Sequence, residues 1–102
     1  MRIIRMYSSL PRNNPVAQVL GKQVLRSGTS VGANYREASR ARSKPEFVSK
    51  IGDSLKEIDE TEYWLELLVD SDCVTAKKMA SLHDEARQLI AIFTAIDKNS
   101  KR

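Results

Sequence analysis

The stretch RSGTSVGANYREASR, residues 26–40, decides how the chain folds. Its glycines and serines are typical of a loop. Its apolar residues, however, belong to a longer series spaced three and four residues apart, which places them along one side of a continuous helix. The series consists of Val16, Leu20, Val24, Ser27, Val31, Asn34 and Ala38. The spacing therefore predicts a long helix through this stretch, with this series facing the core.

Two further lines of residues run along the same predicted helix. The side opposite the core series carries four cations, here called the basic stripe: Lys22, Arg26, Arg36 and Arg40. Between the two sides lie Gly28 and Gly32. Each glycine costs roughly 1 kcal/mol relative to alanine inside a helix, so we interpret the pair as a site where another helix packs closely. Asn34, on the core side, is expected to hydrogen-bond to another helix.

Periodicity and capping residues predict where the helices begin and end. The predicted helices cover residues 2–9, 15–42, 44–70 and 75–97. Asn14 caps the second helix ahead of Pro15, Ser43 and Glu46 form a capping box for the third, and Thr75 caps the fourth. Residues 99–102 are expected to fray. One domain over residues 1–102 follows, an all-α, up-and-down antiparallel four-helix bundle with a shortened first helix.

Charge is distributed unevenly along the 102 residues. Residues 1–44 contain nine Lys/Arg and one acid, residues 45–72 contain two and nine, and residues 73–102 contain six and three. The basic first part should attract the acidic third helix, within the chain or between copies. Basic surface that stays unpaired is available to phosphate groups.

Several classes of protein are disfavoured by the residues that are present. The apolar runs are too short for a membrane span, Arg2 and Arg5 interrupt any signal peptide, and the single Cys73 permits no intrachain disulfide. A cytoplasmic location is the default expectation, without membrane association.

Catalytic and metal-binding patterns are also missing from the sequence. Gly28 and Gly32 follow no strand and precede no Gly-Lys-Ser/Thr, which argues against a phosphate loop. The only histidine, His83, follows Ala80 and not the glutamate of a Glu-x-x-His pair. One cysteine and one histidine without a further pattern do not indicate a nucleophile and its base. We therefore predict no enzyme activity, metal, cofactor or small-molecule substrate.

Large apolar residues also occupy sides of the third helix that do not belong to its core stripe. Tyr63 and Leu67 point away from that stripe, Trp64 lies on a third side, and Ile92 is at the edge of the stripe of the fourth helix. These four residues are either the edge of the core or an oligomer interface, and we favour the interface.

The residues from Gln23 to Ala38, together with Ser43, Glu46-Phe47 and the segment from Leu55 to Leu65, resemble one known family. This family is the bacterial four-helix bundle proteins, also called 23S ribosomal RNA intervening-sequence proteins, and the resemblance covers nearly the whole chain from Tyr7 onward. It implies a left-handed antiparallel bundle that assembles as a homopentamer. A related protein, the accessory protein of diversity-generating retroelements, is a basic pentameric barrel that binds a reverse transcriptase and nucleic acid.

The first helix departs from the family pattern. Family members usually have a longer first helix than the two turns predicted here. Either Met1 is an internal start, or the shorter helix leaves part of a groove open.

Two functional hypotheses follow for the basic stripe. In the first, a homo-oligomeric scaffold or accessory factor contacts RNA or DNA, or an RNA-handling protein, through the stripe. Such contact would be sequence-blind and salt-sensitive, because no aromatic residues alternate with the cations to stack on bases. In the alternative, the protein is a protein–protein interaction module with no nucleic-acid role, and its stripe pairs with Asp53, Glu57 and Glu60 of a neighbour or simply faces solvent.

Overall fold

The computed structural model describes residues 2–100, which form four α-helices and no strand. The helices are α1 (Arg2–Ser9), α2 (Pro15–Ser39), α3 (Lys44–Asp70) and α4 (Ala76–Ser100). α1 and α3 coincide with the predicted ranges, whereas α2 ends three residues earlier and α4 continues three residues further than predicted. Met1, which was considered as an internal start, and Lys101 and Arg102, the end of the predicted frayed tail, lie outside the described residues.

Side-chain caps hold the beginnings of the three long helices. Asn14 Oδ1 accepts the backbone N–H of Ala17 at 3.1 Å, and Ser43 Oγ accepts that of Glu46 at 3.2 Å. Thr75 Oγ1 accepts the N–H of Lys78 at 3.2 Å. The capping box differs from the prediction in one bond, because the Glu46 carboxylate accepts the N–H of Arg42 and not that of Ser43. The caps leave fewer helix-terminal N–H groups without a partner.

The early end of α2 has a local cause. The N–H of Arg40 bonds to the carbonyl of Glu37 at 3.2 Å and that of Ala41 to the carbonyl of Ala38 at 3.1 Å. These bonds span three residues instead of four, so the last turn tightens. Arg40, with φ −108° and ψ 11°, leaves the helix, and the chain reverses before Ser43 begins the next one.

Apolar side chains from α2, α3 and α4 and from Leu10 fill the core, and partly buried residues of α1 pack against it. The buried apolar residues are Leu10, Ala17, Val24, Val31, Ala38, Ile51, Ile58, Leu65, Leu68, Met79, Ala86 and Phe93. Val16 was predicted to face the core and is 50% exposed, because Ala17 occupies the inward position of the first turn of α2. Ser27 and Val31 are buried as predicted, and Asn34 is half-buried.

Small hydroxyl residues bring α2 and α3 together. Ser27, Ser54 and Thr61 are buried at this contact. Thr61 Oγ1 donates to Ser27 Oγ at 2.8 Å, and Ser54 Oγ donates to the carbonyl of Val31 at 3.3 Å. These bonds satisfy polar atoms that would otherwise be costly to bury.

α1 rests on one half of α2. A Cβ at Gly28 would collide with the end of Ile3, and a Cβ at Gly21 would collide with Leu10, so both glycines permit close contact. At Gly32 no atom of residues 2–100 lies within 4 Å of a Cβ position, so this predicted contact is not made among the described residues. The N-terminal end of α1 therefore lies beside Gly28, and the described part of α1 does not extend to Gly32.

Each helix contacts the next one along the chain, which produces an up-and-down bundle. The molecule measures 46 × 20 × 18 Å, and a helix of the length of α3 spans about 40 Å. The prediction of an all-α four-helix bundle is confirmed.

Candidate functional site

The four residues of the basic stripe are all exposed on α2 or, for Arg40, directly after it. Arg26 is tied to α3, since its guanidinium lies 3.5 Å from Glu57 Oε2 and 3.2 Å from Glu60 Oε2. Two of the three acidic residues predicted as possible partners from a neighbouring copy, Glu57 and Glu60, thus contact Arg26 within the same chain, whereas Asp53 does not. Because the Arg26 side chain is more than half exposed, this pairing contributes little stability, but it lowers the charge that Arg26 offers to a ligand.

The remaining cations of the stripe stay unpaired. Lys22, Arg36 and Arg40 make no salt bridge with any residue between 2 and 100. The ten residues from Arg26 to Arg36 correspond to about 15 Å of helix, so the stripe is two separate groups. The group at the C-terminal end of α2, Arg36 and Arg40, offers two unpaired guanidinium groups one turn apart.

Neighbouring residues increase the positive charge at that end of α2. Glu37 follows Arg36 but is held by Lys50 Nζ at 2.6 Å, and this carboxylate raises the pKa of Lys50 above its ordinary value. Arg42, in the connection to α3, is also exposed. Helical spacing did not place Arg42 on the basic stripe, because in the predicted helix of residues 15–42 it points away from Arg40; the observed α2 ends at Ser39, before Arg42.

The residues predicted to form an oligomer interface occupy two surfaces instead of one. Tyr63 is 54% exposed and its ring meets that of Trp64 nearly edge-on, with 5.0 Å between centroids. Leu67 is half-buried one turn further along α3. We call Tyr63, Trp64 and Leu67 the α3 surface. The buried Nε1 of Trp64 has no hydrogen-bond partner among the described residues.

Ile92, 53% exposed, belongs to a second surface, a groove of about 440 Å³ beside the N-terminal end of α1. Apolar residues of α2 and α4 form most of the groove, including Gly32, Tyr35, Leu89, Ile92, Phe93 and Ile96. The Tyr35 ring lies 5.8 Å from that of Phe93 and yet is 49% exposed. The groove lies where the predicted short first helix would leave the bundle uncovered. Asn34, expected to bond across helices, makes no side-chain hydrogen bond within residues 2–100.

The single cysteine and the single histidine contact different groups. Cys73 Sγ lies 3.3 Å from Ser71 Oγ and 3.9 Å from Asn14 Nδ2. His83 Nε2 lies 3.3 Å from Glu66 Oε1, on α3. The expectation of no metal site considered only carboxylates close to His83 in sequence, whereas the fold brings glutamates from another helix to it.

Comparisons with known proteins agree with this architecture. Residues 1–95 match the family described as 23S rRNA-intervening sequence protein. The chain belongs to this family. It is similar to the crystal structure of a protein of unknown function from the S23 ribosomal protein family of Bacteroides thetaiotaomicron, with 41% identity, 95% of this chain and 89% of that chain covered, and a TM-score of 0.88. No curated protein matches the chain. The resemblance that the residues around 23–38 indicated is therefore confirmed.

None of the helices described between residues 2 and 100 is both long enough and apolar enough to cross a lipid bilayer.

Proposed function

We propose that this member of the 23S rRNA-intervening sequence protein family is a non-enzymatic helical scaffold. Several copies assemble, five being the number that the family resemblance implies, and the assembly presents the unpaired cations of the basic stripe to RNA or DNA, or to a protein that handles RNA. We place it in the cytoplasm, because its single cysteine gives no intrachain disulfide. No small-molecule substrate or cofactor enters this proposal.

One observation carries the proposal of assembly. Among residues 2–100, six large apolar side chains remain about half exposed or more: Ile4, Val16, Val19, Tyr35, Tyr63 and Ile92. Two of them, Tyr35 and Ile92, line one groove, and contiguous apolar surface marks sites of association. The groove beside α1 adds a concave apolar surface that a second copy can fill.

Charge supports the nucleic-acid contact. Arg36 and Arg40 are exposed and form no ion pair within residues 2–100, and the acid between them, Glu37, is bound by Lys50. Guanidinium groups bind phosphate oxygens without reading base sequence. The expected ligand is therefore a nucleic-acid backbone, bound with strong dependence on salt.

The absence of enzyme activity is proposed on the arrangement of the reactive side chains. Cys73 contacts Ser71 and Asn14, whereas His83 contacts Glu66. Neither contact joins a nucleophile to a base, which covalent catalysis requires.

A second candidate function is a protein–protein interaction module with no role in binding nucleic acid. It is favoured by Arg26, whose charge is already compensated by Glu57 and Glu60. Under this alternative, Arg36 and Arg40 bind acidic residues of another copy.

The two candidates are separated by the double variant Arg36→Glu with Arg40→Glu. We measure mass by light scattering, and binding of a short fluorescein-labelled poly(U) RNA by anisotropy, each at low and high salt. The scaffold proposal predicts that the variant keeps the assembled mass and loses RNA binding. Loss of the assembled mass would favour the interaction module instead.

The matched control reverses the same amount of charge elsewhere. Lys77→Glu with Lys78→Glu alters two exposed cations near the start of α4 and should retain most RNA binding. If both double variants lose binding equally, net charge rather than the stripe is responsible. If Arg36→Glu with Arg40→Glu changes neither mass nor RNA binding, both roles assigned to these arginines are wrong.

A further inference from the structure

Three potential ligands from two helices meet at the α3–α4 contact. Glu62 and Glu66 lie one turn apart on α3, so they share a face, and His83 approaches them from α4. One ligand atom from each residue lies within 4.8 Å of the others. Glu62 and His83 are half-buried and Glu66 is more open. This cluster is separate from the basic stripe, the α3 surface and the groove.

We propose that Glu62, Glu66 and His83 bind a divalent transition-metal ion, with Zn²⁺ as the ion that fits best. Zinc accepts imidazole nitrogen and carboxylate oxygen at about 2.0–2.2 Å in tetrahedral geometry, which places ligand atoms about 3.4 Å apart. His83 Nε2 and Glu66 Oε1 are already 3.3 Å apart. Only the Glu62 carboxylate must move inward, by side-chain rotation.

The identities of the ligands select the class of ion. Mg²⁺ and Ca²⁺ prefer sites made entirely of oxygen, whereas an imidazole favours zinc and its neighbours in the first transition series. Carboxylates from one helix and an imidazole from the next let the bound ion link α3 to α4.

Space for the remaining coordination position is present beside the cluster. A cleft of about 340 Å³ is lined by Glu66, His83 and the further carboxylate Asp70. Leu65 and Met79, both buried, line the same cleft. A water molecule that completes the tetrahedron can therefore enter beside His83, with Asp70 available to accept its hydrogen bond.

Arg87 competes with the ion for Glu62. Its Nε lies 3.9 Å from Glu62 Oε2, so a positive charge already pairs with a carboxylate that the ion would use. The ion and this exposed guanidinium therefore compete for Glu62. Removal of the Arg87 charge should therefore strengthen metal binding. If Arg87 only supported the structure of the site, its removal would weaken metal binding instead.

The test is a calorimetric titration of the full-length protein with ZnCl₂. Cys73→Ser serves as the parent, because the only thiol in the chain could otherwise bind zinc. We expect one ion per chain. His83→Ala should weaken binding by roughly tenfold or more, and Arg87→Gln should tighten it severalfold. Asp53→Asn, at an exposed acid nearer the start of α3, should leave it unchanged.

Thermal unfolding gives a second readout, because a variant that fails to fold shows no cooperative transition and is recognised as such. An ion that binds only the folded chain raises its Tm, so ZnCl₂ should raise the Tm of the parent and of Arg87→Gln but not that of His83→Ala. Equal zinc affinity for the parent and His83→Ala, or a parent that gives neither heat nor a Tm increase, would overturn the proposal.

Discussion

Asp72 lies at the point where the chain leaves α3, and its φ of 62° is in the left-handed region. The N–H of Asp72 bonds to the carbonyl of Val69 at 3.0 Å, and that of Cys73 to the carbonyl of Leu68 at 3.0 Å. This pair of bonds is the Schellman arrangement, in which the residue at the Asp72 position is most often glycine. Aspartate tolerates this conformation better than most residues but at some cost.

Asp72→Gly should therefore stabilise the protein. We expect a gain of about 0.5–1 kcal/mol and a Tm higher by about 4–8 °C per kcal/mol. Removal of a negative charge beside the C-terminus of α3 acts in the same direction. Thermal unfolding at fixed protein concentration measures the effect, with Asp72→Ala as the control that should give no gain. A lower Tm for Asp72→Gly than for the unsubstituted protein would show that the aspartate side chain stabilises the turn.

At the scale of elements, the two glycines Gly28 and Gly32 of α2 affect the stability of the helix differently. Gly32→Ala should increase the free energy of unfolding by roughly 1 kcal/mol, because alanine favours the helix and nothing lies within 4 Å of the new methyl group. Gly28→Ala should gain less, because its methyl group forces Ile3 to rotate. Urea unfolding at one protein concentration compares the two. If Gly32→Ala also lowers the assembled mass, then Gly32 packs closely against another copy.

The sequence predicted where the helices lie along the chain better than it predicted which helices and residues contact each other. The caps Ser43 and Thr75 depend on residues a few positions away, so the start of α3 was predictable. The spacing predicted correctly that Val24 faces the core. It was wrong at Val16, because in the first turn of α2 the smaller Ala17 is buried instead. Spacing also could not tell that α1 ends before Gly32, since that depends on how two helices dock.

For the candidate sites too, local features could be predicted from the sequence, whereas contacts between helices could not. The exposure of the basic stripe was predictable from helical spacing, because one side of α2 faces the core. From the sequence alone, Arg26 could pair with Glu57 of the same chain or with Glu57 of a neighbouring copy. The α2–α3 contact shows that the pair forms within the chain. The cluster of Glu62 and His83 joins residues that are far apart in sequence, and no local pattern marks it.

For the whole molecule, the geometry of the proposed assembly depends on the two apolar surfaces being distinct. The α3 surface contains Tyr63, whereas the groove contains Ile92 and Tyr35. A two-fold dimer uses one surface that matches itself, but a closed ring uses two different surfaces that match each other. Because each chain has two separate apolar surfaces, we propose a ring, in which the α3 surface of one copy meets the groove of the next.

This arrangement makes a prediction about mixtures of two variants. Tyr63→Arg disables the α3 surface and Ile92→Arg disables the groove, so each variant alone should lose the assembled mass. When the two are mixed, one intact groove can still meet one intact α3 surface, and light scattering should give the mass of two chains and no more. A matched substitution at an exposed polar position of α4, Gln88→Arg, should keep the full assembly. If the mixture stays at the mass of single chains, or if only one of the two variants dissociates, the copies do not join through this pair of surfaces.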